Sequence, residues 1–223
     1  MNEILPKFAV LCVLASGWNA TTSAEVAFVG DRRFSIPDGF DLSSAVVPGL
    51  TLRPMVVDFD QDGNLYVAES SGTNVNVQQQ LAEKPHSILK LTDSNQDGIY
   101  DRRTVFADKM MFPEGTLWHN GALYVAAPPQ IWKLTDADQD GVAEQHEIWF
   151  DAKTLTGCAN DLHGPYLGPD GWLYWCKGAF AEQQYQQSGK RFPLTTRAAH
   201  IFRRHPRGGI VEPVMTGGMD NPV

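Results

Sequence analysis

Short apolar runs, each closed by a glycine or a polar turn, recur along the chain in one fixed order. The first copy is "VVDFDQDGNLYVAES" followed by "ILKLTDSNQDGIYDRRTVFAD". The second is "GTLWHNGALYVAAPPQIWKLTDADQDGVAEQHEIWFDA". The third is "PYLGPDGWLYWCKG" followed by "HIFRRHPRGGIVEPVM". Each copy reads as an apolar strand, a Gly turn, an "LY" strand, an "I-x-[KR]" strand, a polar turn and a final apolar strand. Tyr66, Tyr124 and Tyr174 mark the second strands; Ile88, Ile131 and Ile201 mark the third. The outer two copies carry insertions at 70–87 and 177–199.

Four antiparallel strands in a unit of about 45 residues predict a β-propeller blade. The fold class is therefore all-β: a partial β-propeller of three blades, with "GGMDNPV" as the start of a fourth. A sandwich or barrel of unrelated hairpins is the competing architecture. Propellers close with roughly four to eight blades. The expectation is thus a fragment or a truncated reading frame, unless copies assemble. The predicted layout is a signal peptide at 1–24, a lead-in at 25–45 and the incomplete propeller at 46–223.

In a four-strand meander, the turns joining strands one to two and three to four share one face. The acidic turns fall there. "DADQDGVAEQHE" puts Asp136, Asp138, Asp140, Glu144 and Glu147 at positions 1, 3, 5, 9 and 12 of a calcium-loop pattern, with Gly141 at the bend. "DSNQDGIYD" is a weaker version with Asp93, Asn95, Asp97 and Asp101, but Thr104 where the last carboxylate belongs. A solvated Asx/Gly hairpin turn is the other reading of both. Those loops together hold eight acids and no Lys or Arg, as many charges as the net −8 of the 223-residue chain. Such crowding favours a structural Ca²⁺. "DFDQDG" at 58–63 reads as a turn.

The opposite face surrounds the central channel, where a propeller holds its ligand. Aligned on Phe59, Trp118 and Leu167, the residues four positions upstream are Met55, Glu114 and His163. Arg53, Phe112 and Asp161 lie six upstream, and Pro54, Pro113 and Pro222 share a column. This gathers Arg53, Glu114, Asn160, Asp161, His163, Asp220 and Asn221 near the axis. Carboxylates, amides and a histidine there suit proton abstraction or polar-ligand binding. A packed, structural role for His163 is equally open.

Composition narrows the partners. The negative balance argues against nucleic acid, and 43% hydrophobic residues with 20 Gly and 14 Pro suit short strands and turns. Lys7 ahead of "FAVLCVLAS" and the small residues of "TTSA" predict an export signal cleaved near Ala24. The run is too short to span a bilayer as a helix, and an ordinary buried N-terminal segment is the alternative. Export to the periplasm or outside would let Cys158 and Cys176 form a disulfide, while two free thiols remain the alternative.

The run from "MVVDFDQDGNLYVAES" through "CANDLHGPYLGPDGWLYWCKGAF" to "VMTGGMDNPV" resembles the membrane-bound dehydrogenase family of planctomycetes and verrucomicrobia. The resemblance covers nearly all of the chain after residue 40. It implies a six-bladed propeller when complete, distantly similar to soluble quinoprotein glucose and sorbosone dehydrogenases. In longer members the propeller continues into helical-repeat and cytochrome c modules. The implied activity is oxidation of a sugar or polyol, with His163 contacting the reacting hydroxyl and Asp161, Asn221 and Glu114 as polar support. Aligned without gaps, the family's His column falls on Asn160, three residues before His163. The implied cofactor is pyrroloquinoline quinone (PQQ), which the quinoproteins hold with an Arg-Asn-Pro motif. That motif is matched here by Asp220-Asn221-Pro222, so the cation becomes a carboxylate. No Cys-x-x-Cys-His occurs, so no covalent haem is expected in this chain. Two alternatives stand beside the dehydrogenase. One is a non-catalytic, calcium-stabilised propeller binding glycan or protein. The other is a metal-dependent lactonase-like hydrolase with Glu114, Asn160 and Asp220 as ligands.

Overall fold

The computed structural model describes residues 24–153, 155, 162–180, 182–185, 191 and 193–217. The chain divides into two compact units, one ending at Ser44 and the other starting at Ala45. In the first unit, β1 (Ala24–Val29) and β2 (Arg32–Pro37) form an antiparallel hairpin with Val29 opposite Arg32. Gly30, at φ 62°, supplies the left-handed residue that such a tight turn favours.

Among its described residues, the second unit holds three four-stranded antiparallel sheets and one two-stranded sheet in an insertion. Strands β3 (Pro54–Phe59), β4 (Leu65–Glu69), β5 (His86–Thr92) and β6 (Arg102–Met110) form the first. Strands β7 (Gly115–His119), β8 (Ala122–Ala127), β9 (Gln130–Thr135) and β10 (Gln145–Asp151) form the second. The third comprises β11 (His163–Leu167), β12 (Leu173–Lys177), β15 (Ala199–His205) and β16 (Gly208–Gly217). Within each sheet, neighbours in space are neighbours in order. Between sheets it is chiefly the first strands that meet: β7 packs against both β3 and β11. Repeated four-stranded antiparallel meanders of this kind are consistent with partial propeller blades. Of the expected fourth-blade start at 217–223, residues 218–223 lie outside the described residues, as do residues 1–23 of the signal peptide expected at 1–24. Among the described residues no helix is long and apolar enough to cross a membrane.

The repeat positions build the core. Tyr66, Ala68 and Ile88 of the first blade pack in one cluster with Leu123, Val125 and Leu134 of the second. Tyr124, Ala126 and Ile131 of the second pack with Leu173, Trp175 and Phe202 of the third. Successive strand residues face opposite sides, so one "LY" pair serves two neighbours. Strands β4 and β8 are accordingly buried along their whole length. Each large apolar side chain so covered contributes roughly 1.5–3 kcal/mol. The far side of the first blade, Leu65, Val67, Leu89 and Leu91, is covered by Val46 and Tyr100, which also form a parallel bridge.

Polar contacts add to the first seam. Trp118 stacks on Tyr66 at 5.0 Å between ring centroids. Its backbone N–H donates to Asp58 Oδ2 at 2.5 Å, and its indole N–H donates to Gln61 Oε1 at 2.7 Å. The turn at 58–63 is thus a structural clamp.

Each insertion carries secondary structure among its described residues. Helix α1 (Val77–Glu83) is capped by Asn76, whose side chain accepts the Gln79 N–H at 3.0 Å. In the third blade, β13 (Gln183–Tyr185) pairs with β14 (Leu194–Thr196). Tyr185 then stacks on Phe202 at 3.9 Å and Phe150 at 5.9 Å.

Candidate functional site: an acidic turn and an inter-blade seam

The turn between β9 and β10 brings Asp136, Asp138, Asp140 and Glu144 together, with one carboxylate oxygen of each within 4.8 Å of the others. The loop is shaped by its own backbone. Gly141 N–H donates to Asp136 Oδ2 (2.9 Å), Asp140 N–H to Asp138 Oδ1 (3.2 Å) and Ala137 N–H to Glu144 Oε2 (2.8 Å). Gly141 sits at φ 95°, which explains the glycine at the bend. Four hard oxygens at this spacing are suited to a divalent cation. Glu147, the fifth expected ligand, is not in the group. It stands opposite Lys133 in the β9–β10 ladder, and their charged ends are 3.6 Å apart. A helix leaving the loop would swing position 12 back towards the cation. The strand that leaves here carries it away.

The 93–101 turn is organised differently. Asp101 accepts both the Ser94 N–H (2.9 Å) and its hydroxyl (2.6 Å), which hold its carboxyl below the usual range. Asp93 takes the N–H groups of Asp97 and Gly98, and Asn95 that of Asp97. Its carboxylates cap a turn, and among the described residues Asp93, Asp97 and Asp101 form no ligating group. At 58–63, Asp60 is occupied by the N–H groups of Asp62 and Asn64 and by the Asn64 amide.

Between the second and third sheets, β7 and β11 meet at two glycines. A Cβ on Gly115 would overlap the Gly164 carbonyl oxygen and lie 2.6 Å from its carbon and 2.7 Å from its nitrogen. Glu114 and His163 each precede one of these glycines, so the close approach sets both at one seam. Glu114 is half-buried and its N–H donates to Ala126 O at 2.7 Å. His163 is 8% exposed, and its Nε2, like Glu114 Oε2, is shielded from solvent.

The gap-free column of Met55, Glu114 and His163 does not survive in the pairing. His163 stands opposite Cys176, and Tyr166 opposite Tyr174, with a bulge between them. Cys176 is equivalent to Ala126 and Ala68, whose partners are Gly115 and Val56. His163 therefore occupies the row of Gly115, one place along from Glu114. Gly164, at φ 102°, accommodates the bulge.

Several polar groups near these strand ends were not singled out from the sequence. Glu69, 8% exposed, accepts the backbone N–H groups of Leu52 and Arg53. Lys177 is fully buried at the end of β12, its ammonium donating to the carbonyls of Gly178 (2.8 Å) and Ala198 (3.1 Å). His86 accepts the Ser71 N–H on Nδ1 at 3.1 Å, which leaves Nε2 to face Gln80 Oε1 at 3.4 Å. A polar residue ending an apolar strand was the available signal for Glu69 and Lys177. Arg53 is exposed, its guanidinium lying against Gly72. Cys176 is a free, buried thiol. Asn160, Asp161, Asp220, Asn221 and Cys158 lie outside the described residues.

The seam does not suit PQQ. A polyanionic quinone needs cations around it. Here the acid Glu114 lies at the seam, Lys177 serves backbone carbonyls, and Arg53 packs on a loop glycine.

Fold and site together define an all-β protein of repeated four-stranded antiparallel sheets, propeller-like, with an acidic turn fit for a divalent cation. The chain belongs to the family described as "Domain of unknown function (DUF7133)", whose model matches residues 31–219. No curated protein matches it.

Proposed function

We propose that the chain is the propeller module of an exported dehydrogenase-like protein acting on a sugar or polyol. The observation that carries this reading is the meeting of Gly115 and Gly164, the residues that follow Glu114 and His163, at one seam. An imidazole shielded from bulk water is suited to take a hydroxyl proton, and a nearby carboxylate to steady the charge that results. Oxidising a secondary alcohol to a ketone releases two electrons and two protons. His163 would take the hydroxyl proton, and a separate diffusible quinone would take the carbinol hydrogen together with both electrons, as hydride, before passing electrons to a haem module. The loop at 136–144 would hold Ca²⁺ in a structural role, away from the chemistry.

The test is dye reduction. The purified chain is mixed with a panel of sugars and polyols and dichlorophenolindophenol, and bleaching is followed. Substrate-dependent bleaching that His163→Asn removes supports the reading. The acidic turn favours a second reading, a calcium-stabilised propeller that binds glycan without turnover. Calorimetric glycan binding with no bleaching would replace the first reading with the second.

A further inference from the structure

We propose that a divalent cation, Ca²⁺ by ligand class, seats among Asp136, Asp138, Asp140 and Glu144 and clasps the second blade onto the first. This rests on the cation reading above and adds what the cation does.

The Asp136 side chain is 6% exposed, and its Oδ1 is fully buried with no hydrogen-bond partner. A buried carboxylate oxygen left so is costly unless a ligand meets it. Among the described residues, the cation paired with the group is Lys90, 3.9 Å from Asp136 Oδ2. One ammonium does not balance four carboxylates within 4.8 Å of one another. Hydroxyl or amide donors do not fill the gap, and a hard dication does.

The loop belongs to the second blade but is anchored on the first. Lys90 comes from β5. Ala143 N–H donates to Phe106 O on β6 at 2.8 Å, and Ala143 is buried in the cluster that holds Phe106 and Ala107. A methyl on Gly141 would touch Thr104 at 3.5 Å. Fixing the loop therefore fixes three contacts across the seam.

The experiment measures Ca²⁺ binding to the whole chain by calorimetry, and amide exchange with and without Ca²⁺. If the clasp exists, Ca²⁺ slows exchange in the loop and at residues 103–107 of β6 together. The slowing reaches up to about 100-fold at a Ca²⁺ concentration 100 times Kd. Asp138→Asn, at an exposed ligand, moves both effects to higher Ca²⁺. Binding with protection confined to 136–147 overturns the clasp and leaves the cation reading standing. No heat and no protection overturn both. Unchanged affinity in Asp138→Asn overturns the ligand set.

Discussion

Gly115 and Gly164 touch backbone to backbone across the second seam, with no room for a methyl group between them. The obstacle is main-chain atoms, which cannot rotate aside as a side chain would. Gly115→Ala must therefore push β7 from β11. A loss of about 3 kcal/mol is expected, at the upper end of overpacking costs. Urea unfolding of the two proteins measures it. A change within error would mean that the seam is looser than this contact requires.

The first seam depends on Asp58 and Trp118. Asp58→Ala removes the acceptor of the Trp118 N–H and leaves the indole bond to Gln61 in place. A hydrogen bond to a charged acceptor contributes about 1.5–3 kcal/mol, and Asp58 is half-buried. The lower end of that range is expected in denaturant midpoints. Asp58→Asn, which keeps an oxygen, should recover most of it.

How far these sites were legible depended on what the sequence encodes locally. The rows of Tyr66, Tyr124 and Tyr174 stand out because each blade needs the same residue in the same place. The second strands were placed correctly from them. The bulge between His163 and Tyr166 was not legible, because it appears only when β11 is paired with β12. It moved His163 one row from Glu114. Glu147 fits the spacing of a calcium loop, but spacing assumes a helix after the loop, and here a strand follows. Helix α1 has a readable cap in Asn76 ahead of "VQQQLAE", but it lies in an insertion with no counterpart in the repeat to mark it.

The ligand set of the acidic turn is open to direct test. Asp140→Asn should weaken Ca²⁺ binding by about tenfold or more, since it removes one charge from the group. Glu147→Gln should leave the affinity within twofold, at about the parent value, because Glu147 pairs with Lys133. Calorimetry at fixed ionic strength separates the two. A large effect at Glu147 would mean that β10 unwinds to bring it in.

His86 ties stability to pH. It is 1% exposed, and burial pushes its pKa below the ordinary 6.5. The unfolded ring takes up a proton near that value, while the folded ring resists to lower pH. Stability from this residue is thus full above pH 6.5 and is lost as pH falls below it. His86→Asn keeps an acceptor for the Ser71 N–H and cannot titrate there. The difference in unfolding free energy between parent and variant should shrink from pH 7.5 towards pH 5, both about one unit or more from the ordinary imidazole value. A constant difference would rule out His86 as the source.

Cys176 should be inert while the chain is folded. It faces His163 across the β11–β12 ladder, and a histidine beside a thiol commonly signals an activated thiolate. Burial acts the other way: it pushes the thiol above its ordinary value, and no neighbouring cation contributes to its shift. The side chain is also 9% exposed, so reagents reach it poorly. The two effects reinforce each other, because alkylation needs both a thiolate and access. With iodoacetamide at pH 8, peptide-level mass spectrometry should show Cys176 modified far more slowly in the native chain than in urea. Rapid native labelling that His163→Asn abolishes would show instead that the imidazole activates the sulfur, and would move the chemistry of this seam from a hydroxyl substrate to the thiol.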